Sequence, residues 1–188
     1  MKSAQVGGQK IYPTTQGWGE EIEMLIKKIE TALLDQISKE AHASNSYLAM
    51  ASWCQVKGFR GSASFFLTQS EEERQHMLKL INFVNESGGQ GIIPALQEPL
   101  AKYKSLVHAF EVAFEHEIAT TKSIHELVDL TFSSKDYATF NFLQWYVAEQ
   151  HEEESLFRSV LDLIHIAGDE QRNLLIVDNE IAKIRIKA

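Results

Sequence analysis

The sequence predicts an all-α protein: a four-helix bundle with one long crossover between its second and third helices, followed by a short fifth helix. Two observations carry this prediction. Apolar residues recur at spacings of three and four along four long stretches, which is the period of one helix face turned toward a core. Between the second and third stretches lies a segment, residues 88–104, that holds Gly88, Gly89, Gly91, Pro94 and Pro99 and cannot be one continuous helix. Antiparallel neighbours need only a few connecting residues, whereas a segment of this length can travel the length of a bundle.

Residues 1–19 form a polar N-terminal extension with Pro13 and Gly17 as breakers, expected to lie across its own bundle or a neighbouring subunit; the domain is residues 20–188. The first helix is predicted over residues 18–57, with Ile22, Ile26, Ile29, Leu33, Ile37, Glu40, Ser44, Tyr47 and Ala51 on the inward seam. Gly58 and Gly61 mark a tight connection, and the second helix follows over residues 62–87, with the seam Phe66, Gln69, Glu73, His76, Leu80 and Phe83. The glycines at 88–91 do not read as a phosphate-binding loop, because no strand precedes them. Ser105 is a plausible N-cap for a third helix over residues 105–132, whose seam is Leu106, Phe110, Ala113, Glu117, Thr120, Ile124, Leu127 and Thr131. Ser133 and Ser134 are read as the break and cap before a fourth helix over residues 135–167, with the seam Leu143, Tyr146, Gln150, Glu153, Phe157, Val160 and Ile164. Gly168 and Asp169 stop that helix and start a short fifth over residues 170–183; the alternating end, Ile181 to Lys187, fits a strand or a fraying tail equally well, and its three positive charges most simply complement a helix C-terminus.

Length and composition narrow the class. A chain of 188 residues with 44% hydrophobic residues suits one domain with a sizeable core. The formal charge of −8 argues against nucleic acid or an anionic membrane as partner and is compatible with cations. The single cysteine, Cys54, allows no internal disulfide and suits a reducing compartment. Neither a secretory h-region nor an apolar run near the roughly 20 residues of a membrane span is present, so a cytoplasmic location is expected.

The chemistry lies in the residues that break the apolar pattern. Glu40, then Glu73 with His76, then Glu117, then Gln150 with Glu153 occupy core positions near the middle of the four long helices. Residues three apart share a helix face, so Glu73 and His76 can reach one cation. Carboxylates crowded in a low-dielectric core repel one another, and a pair of divalent cations relieves the conflict. Oxygen-rich ligation with one nitrogen suits iron or manganese, and the lack of cysteine ligands argues against structural zinc. A four-helix bundle with one long crossover, inward Glu residues and Glu-x-x-His is the arrangement of ferritin-like dimetal proteins. Beside these residues, Glu72, Glu149 and Glu152 fit either a solvated acidic face or a second acidic layer, while Glu71 and Glu154 read as solvated. Tyr47 fits either a core tyrosine bonded to a carboxylate or an electron donor to a nearby metal, and Trp145 reads as packing. His116 and His151 adjoin the candidate ligands in sequence but lie about 100° off the seam, so they are left out with His42, His108, His125 and His165.

The run Tyr137-Ala138-Thr139-Phe140-Asn141-Phe142-Leu143-Gln144-Trp145-Tyr146-Val147-Ala148-Glu149-Gln150-His151-Glu152-Glu153-Glu154 resembles the fourth-helix signature of bacterial non-haem ferritins almost residue for residue. Glu40 with Tyr47, and Glu72-Glu73 with His76, resemble the first- and second-helix signatures, and the resemblance spans residues 20–180. It implies iron storage with ferroxidase activity: Fe(II) is oxidised to Fe(III) by dioxygen or hydrogen peroxide at a diiron centre within the subunit. Fe(III) is then kept as hydrous oxide in a hollow homo-oligomeric, 24-subunit shell, with the fifth helix around the four-fold axes. It further implies one iron site of Glu40, Glu73 and His76, and a second of Glu73, Glu117 and Glu153 with Gln150 beside it. A third, cavity-side iron site of Glu72, Glu149 and Glu152 is implied, with Tyr47 as the tyrosine near the diiron centre. Gln150-x-x-Glu153 stands where bacterioferritins have a second Glu-x-x-His, and Arg74 where they carry the haem-ligating Met, so no haem is expected. The extension at residues 1–19 has no counterpart in the usual bacterial pattern. The rival functions are a shell without an oxidation centre and a soluble diiron oxygenase or peroxidase on the same bundle.

Overall fold

The computed structural model describes residues 25–168 and 170–184, the side chain of Gln171 excepted. The described residues are all-helical between loops: α1 (Lys27–Lys57), α2 (Arg60–Glu86), α3 (Leu106–Ser133), α4 (Tyr137–Ala167) and α5 (Gln171–Ile184). The expected helix order and the unstructured crossover are both present. The N-terminal extension, Ile22 and the chain end beyond Ile184 lie outside the described residues.

The helix ends follow from local chemistry. Ile26 has extended backbone (φ −60°, ψ 128°) and is 42% exposed, so it is not the seam residue expected of it, and α1 starts at Lys27. Gly58 adopts φ 89° at the end of α1, and the Phe59 N–H returns to the Cys54 carbonyl at 2.9 Å. A side chain at that φ is strained, which is why glycine closes this helix. Ser105 caps α3 as expected, its hydroxyl accepting from the His108 N–H at 3.1 Å. The serines at 133–134 do not cap α4; Asp136 does, accepting from the Thr139 N–H at 3.0 Å. α2 has no cap of its own. Instead the buried Asp178 of α5 accepts from the Gly61 N–H at 2.8 Å and from the Ser62 N–H and hydroxyl, both at 2.7 Å. A carboxylate at a helix N-terminus satisfies otherwise orphaned donors and meets the positive end of the helix dipole, so this contact locks α5 onto α2.

α1 packs chiefly on α2 and α3 on α4, giving two antiparallel hairpins; α1 also packs on α3, and α5 on α2 and α4. Two apolar clusters fill the bundle. One holds Tyr47, Phe66, Phe110, Phe157 and the buried free thiol of Cys54; the other holds Ile29, Leu33, Ile37, Leu80, Leu127 and Leu143. The inward seams hold apart from Ser44 and Thr120, which are half-buried, and Phe83, whose place in the core Val84 takes; Phe83 is half-buried and stacks on Phe142 at 3.8 Å between centroids. The misplaced polar residues form a band between the two clusters. No helix among the described residues is long and apolar enough to cross a membrane.

Candidate metal centre

The candidate ligands placed on the seam are all buried, whereas the seam residues Ser44 and Thr120 are half-buried. Glu40, Glu73, His76, Glu117, Gln150 and Glu153 are each no more than 7% exposed. One ligand atom from each of Glu40, Glu73 and His76 lies within 4.8 Å of the others, a spacing that a single cation can satisfy. His76 Nδ1 stands 3.3 Å from Glu73 Oε2 and 3.8 Å from Glu40 Oε2. On the opposite hairpin, Gln150 Nε2 donates to Glu117 Oε2 at 3.2 Å. The Tyr47 hydroxyl donates to Glu117 Oε1, and Gln69 Nε2 donates to Glu153 Oε2 at 3.0 Å. Glu40 Oε2 and Gln150 Oε1 are buried without a hydrogen-bond partner. Buried acceptors of this kind are costly unless something donates to them or a cation binds them.

The electrostatics agree with the geometry. Burial pushes the Glu73 and Glu153 carboxyls up to about 8 and Glu117 up to about 7; the charge of Glu117 adds to the rise at Glu73 and Glu153 and that of Glu40 to the rise at Glu117, whose bonds from Tyr47 and Gln150 hold it back. Burial likewise drives Glu40 well above the ordinary carboxylate range, with the charge of Glu73 reinforcing it. Burial lowers His76 and so favours the neutral imidazole that can ligate a metal. The Tyr47 hydroxyl is raised by burial and by the charge of Glu117. Its ring stacks between Phe66 and Phe157 at 6.0 and 5.8 Å, so it is a core tyrosine bonded to a carboxylate.

Glu72, Glu149 and Glu152 line one cavity, in which Glu152 is exposed and Glu72 and Glu149 are half-buried. Its volume is about 340 Å³, and Glu153, Thr68, Leu156 and Ile184 complete the lining. Glu153 belongs to both this cavity and the buried band, and His76 Nε2 lies 3.8 Å from Glu149 Oε1. Glu71 is exposed as expected, whereas Glu154 is half-buried, 3.9 Å from Arg158. Trp145 stacks flat on Tyr146 at 4.4 Å and carries the Lys79 ammonium 3.5 Å above its ring. His151 is exposed, whereas His42 and His116 are half-buried and line a separate cavity of about 390 Å³ between α1, α3 and the crossover. The pattern gave no role to Gln36, Gln69 or Ser123. Gln36 Nε2 donates to Glu40 Oε1 at 2.5 Å, and Ser123 Oγ donates to Gln36 Oε1 at 2.6 Å. The available signal was the i, i+4 spacing of Gln36 and Glu40, which alone does not tell a buried pair from an exposed one.

A bundle of four helices with one long crossover, enclosing inward carboxylates and a Glu-x-x-His pair, defines the ferritin-like class. The sequence profile of the ferritin-like domain matches residues 30–167. The chain is 44% identical over 165 residues to a "probable bacterial non-heme ferritin-like protein" of Haemophilus influenzae, covering 88% of this chain and 100% of that one. It is 42% identical over 163 residues to a bacterial non-heme ferritin of Campylobacter jejuni, covering 87% and 98%. An open pore ferritin from the archaeon Archaeoglobus fulgidus superposes with a TM-score of 0.82 at 40% identity, covering 84% of this chain and 98% of the other. The chain belongs to the ferritin family. Family and buried Glu–Glu–His group together support iron storage with iron oxidation as its function.

Proposed function

We propose that the chain takes Fe(II) as substrate at a two-iron centre inside each subunit, oxidises it, and stores the Fe(III) as hydrous oxide in a 24-subunit shell. The observation that carries this reading is the convergence of Glu40, Glu73 and His76, buried in the bundle with ligand atoms within 4.8 Å. Glu40, Glu73 and His76 hold the first iron; Glu73, Glu117 and Glu153 hold the second, with Gln150 beside it. Glu73 is shared because it lies between His76 and the carboxylates of the opposite hairpin, whose charges act on it. Paired irons supply two electrons at once. Dioxygen accepts them with two protons to give hydrogen peroxide, and hydrogen peroxide accepts them with two protons to give water. The acidic cavity of Glu72, Glu149 and Glu152 is a third iron site through which product leaves, a role its contact with Glu153 supports. Tyr47 holds Glu117 and stands ready as an electron source beside the centre. No haem takes part, and the protein works in the cytoplasm. α5 leaves Leu175 and Ile176 exposed, and the crossover exposes Ile92, Ile93, Leu96 and Leu100; apolar surface of this kind supports burial against neighbouring subunits.

The test is aerobic addition of Fe(II) with ferric absorbance followed in time. Glu73→Ala and His76→Ala should slow the fast phase by about tenfold or more, since even the partners that orient metal ligands are worth that much. An unchanged fast phase in both variants refutes the assignment.

A further inference from the structure

Lys39 lies on the exposed side of α1, its ammonium 2.6 Å from Asp35 Oδ2 and 2.8 Å from the Ser123 hydroxyl of α3. Ser123 Oγ is 2.6 Å from Gln36 Oε1, and Gln36 Nε2 is 2.5 Å from Glu40 Oε1. An ammonium can only donate. Ser123 accepts from Lys39 and donates its own single proton to Gln36 Oε1. With its oxygen taken, the Gln36 amide must turn its NH₂ toward Glu40. With Glu40 ionised, as a cation-binding carboxylate is, the reversed amide would set oxygen against oxygen at hydrogen-bond distance. The direction of the chain is thus fixed at its two ends, by an ammonium that cannot accept and a carboxylate that cannot donate. Glu40 Oε1 is held, and Oε2, the oxygen facing His76, is left without a hydrogen bond.

We infer that Lys39, Ser123 and Gln36 are positioning residues: a one-directional strut that presents a single oxygen of Glu40 to the substrate iron. This deepens the two-iron reading and rests on it. Groups that orient metal ligands set affinity without touching the metal.

The experiment follows the fast phase of Fe(II) oxidation against Fe(II) concentration in the assembled protein, and binds Co(II) anaerobically to read ligand geometry from its visible absorption. Gln36→Leu should raise the half-saturating Fe(II) concentration about tenfold, with less than about a twofold change in limiting rate. Lys39→Met and Ser123→Ala should move it in the same direction, and Lys39→Met should add nothing once Gln36→Leu has broken the strut. Lys39→Arg, still donor-only, should keep the unmodified half-saturation, whereas Lys39→Gln, which can also accept, should not. Lys39 is exposed, so its variants test the strut even if Gln36→Leu misfolds. The Co(II) spectrum should change in Gln36→Leu and Lys39→Met and stay unchanged in Lys39→Arg. Additive effects, or an unaltered half-saturation and Co(II) spectrum in Lys39→Met, overturn the inference. If the unmodified protein has no fast phase, or Glu40→Ala leaves it unchanged, the two-iron reading fails instead, and the Co(II) spectra still decide the strut.

Discussion

Burial at Glu73, Glu117 and Glu153 works against the charge that a cation needs. Their carboxyls sit near 8, 7 and 8 in the folded chain, against 4.5 when unperturbed. Without metal, the native state between these values keeps protons that the unfolded chain has already released. Native-state proton binding then exceeds that of the unfolded state, so stability falls as pH rises from 4.5 toward 8 and levels off above. Thermal unfolding of iron-stripped protein should show this decline. Glu73→Gln and Glu153→Gln should flatten it, which separates these carboxyls from the general repulsion of a chain carrying −8. A slope unchanged in both variants would mean the protons sit elsewhere. These carboxylates were legible in the sequence because each stands where the helical period calls for an apolar residue. Gln36 and Ser123 were not, because they flank the seam, and a polar residue there has the look of a solvated one.

Each helix carries a boundary condition as well as a face. Gly61 shows this best: a Cβ there would stand 1.8 Å from the Asp178 carbonyl oxygen, a backbone atom of α5 that cannot swing aside. Gly61→Ala should therefore loosen α5, seen as faster proteolysis at the α4–α5 junction and a lower melting temperature. Asp178→Ala should cost roughly 3 kcal/mol, because it strips a charged acceptor from buried donors of α2. Chemical denaturation at fixed subunit concentration measures it, and a loss under about 1 kcal/mol would show that water replaces the contact. The order of helices and the crossover were legible, since periodicity and the placement of Gly and Pro are local properties. The cap on α2 was not, because its donor and acceptor lie more than a hundred residues apart, with separations of 117 and 116. The start of α1 was misjudged for a related reason: Ile26 keeps the apolar period while its backbone has already left the helix.

At the scale of the molecule, 24 chains of 21.3 kDa would elute near 510 kDa, and light scattering on the purified protein checks this. Elution as a dimer would count against a shell and favour a soluble diiron enzyme. Within one chain the division is sharper than the count of helices suggests. Glu40, Glu73 and His76 all belong to the α1–α2 hairpin, while Glu117, Gln150 and Glu153 all belong to α3–α4. Only the crossover joins the hairpins along the backbone, and lengthening such a connection is entropically mild, about 0.6 kcal/mol for each doubling. Hydrogen bonds from Tyr47 to Glu117, from Gln69 to Glu153 and from Ser123 to Gln36 tie the halves across the polar band. In the proposed two-iron centre, a cation gripped by carboxylates from both sides would act as a clasp. It resists prying the halves apart by an amount set by its concentration, near 2.7 kcal/mol at a hundred times its dissociation constant. On that proposal, iron supply and mechanical cohesion of the subunit would become one variable, and a subunit carrying its load would be harder to open than one that has delivered it.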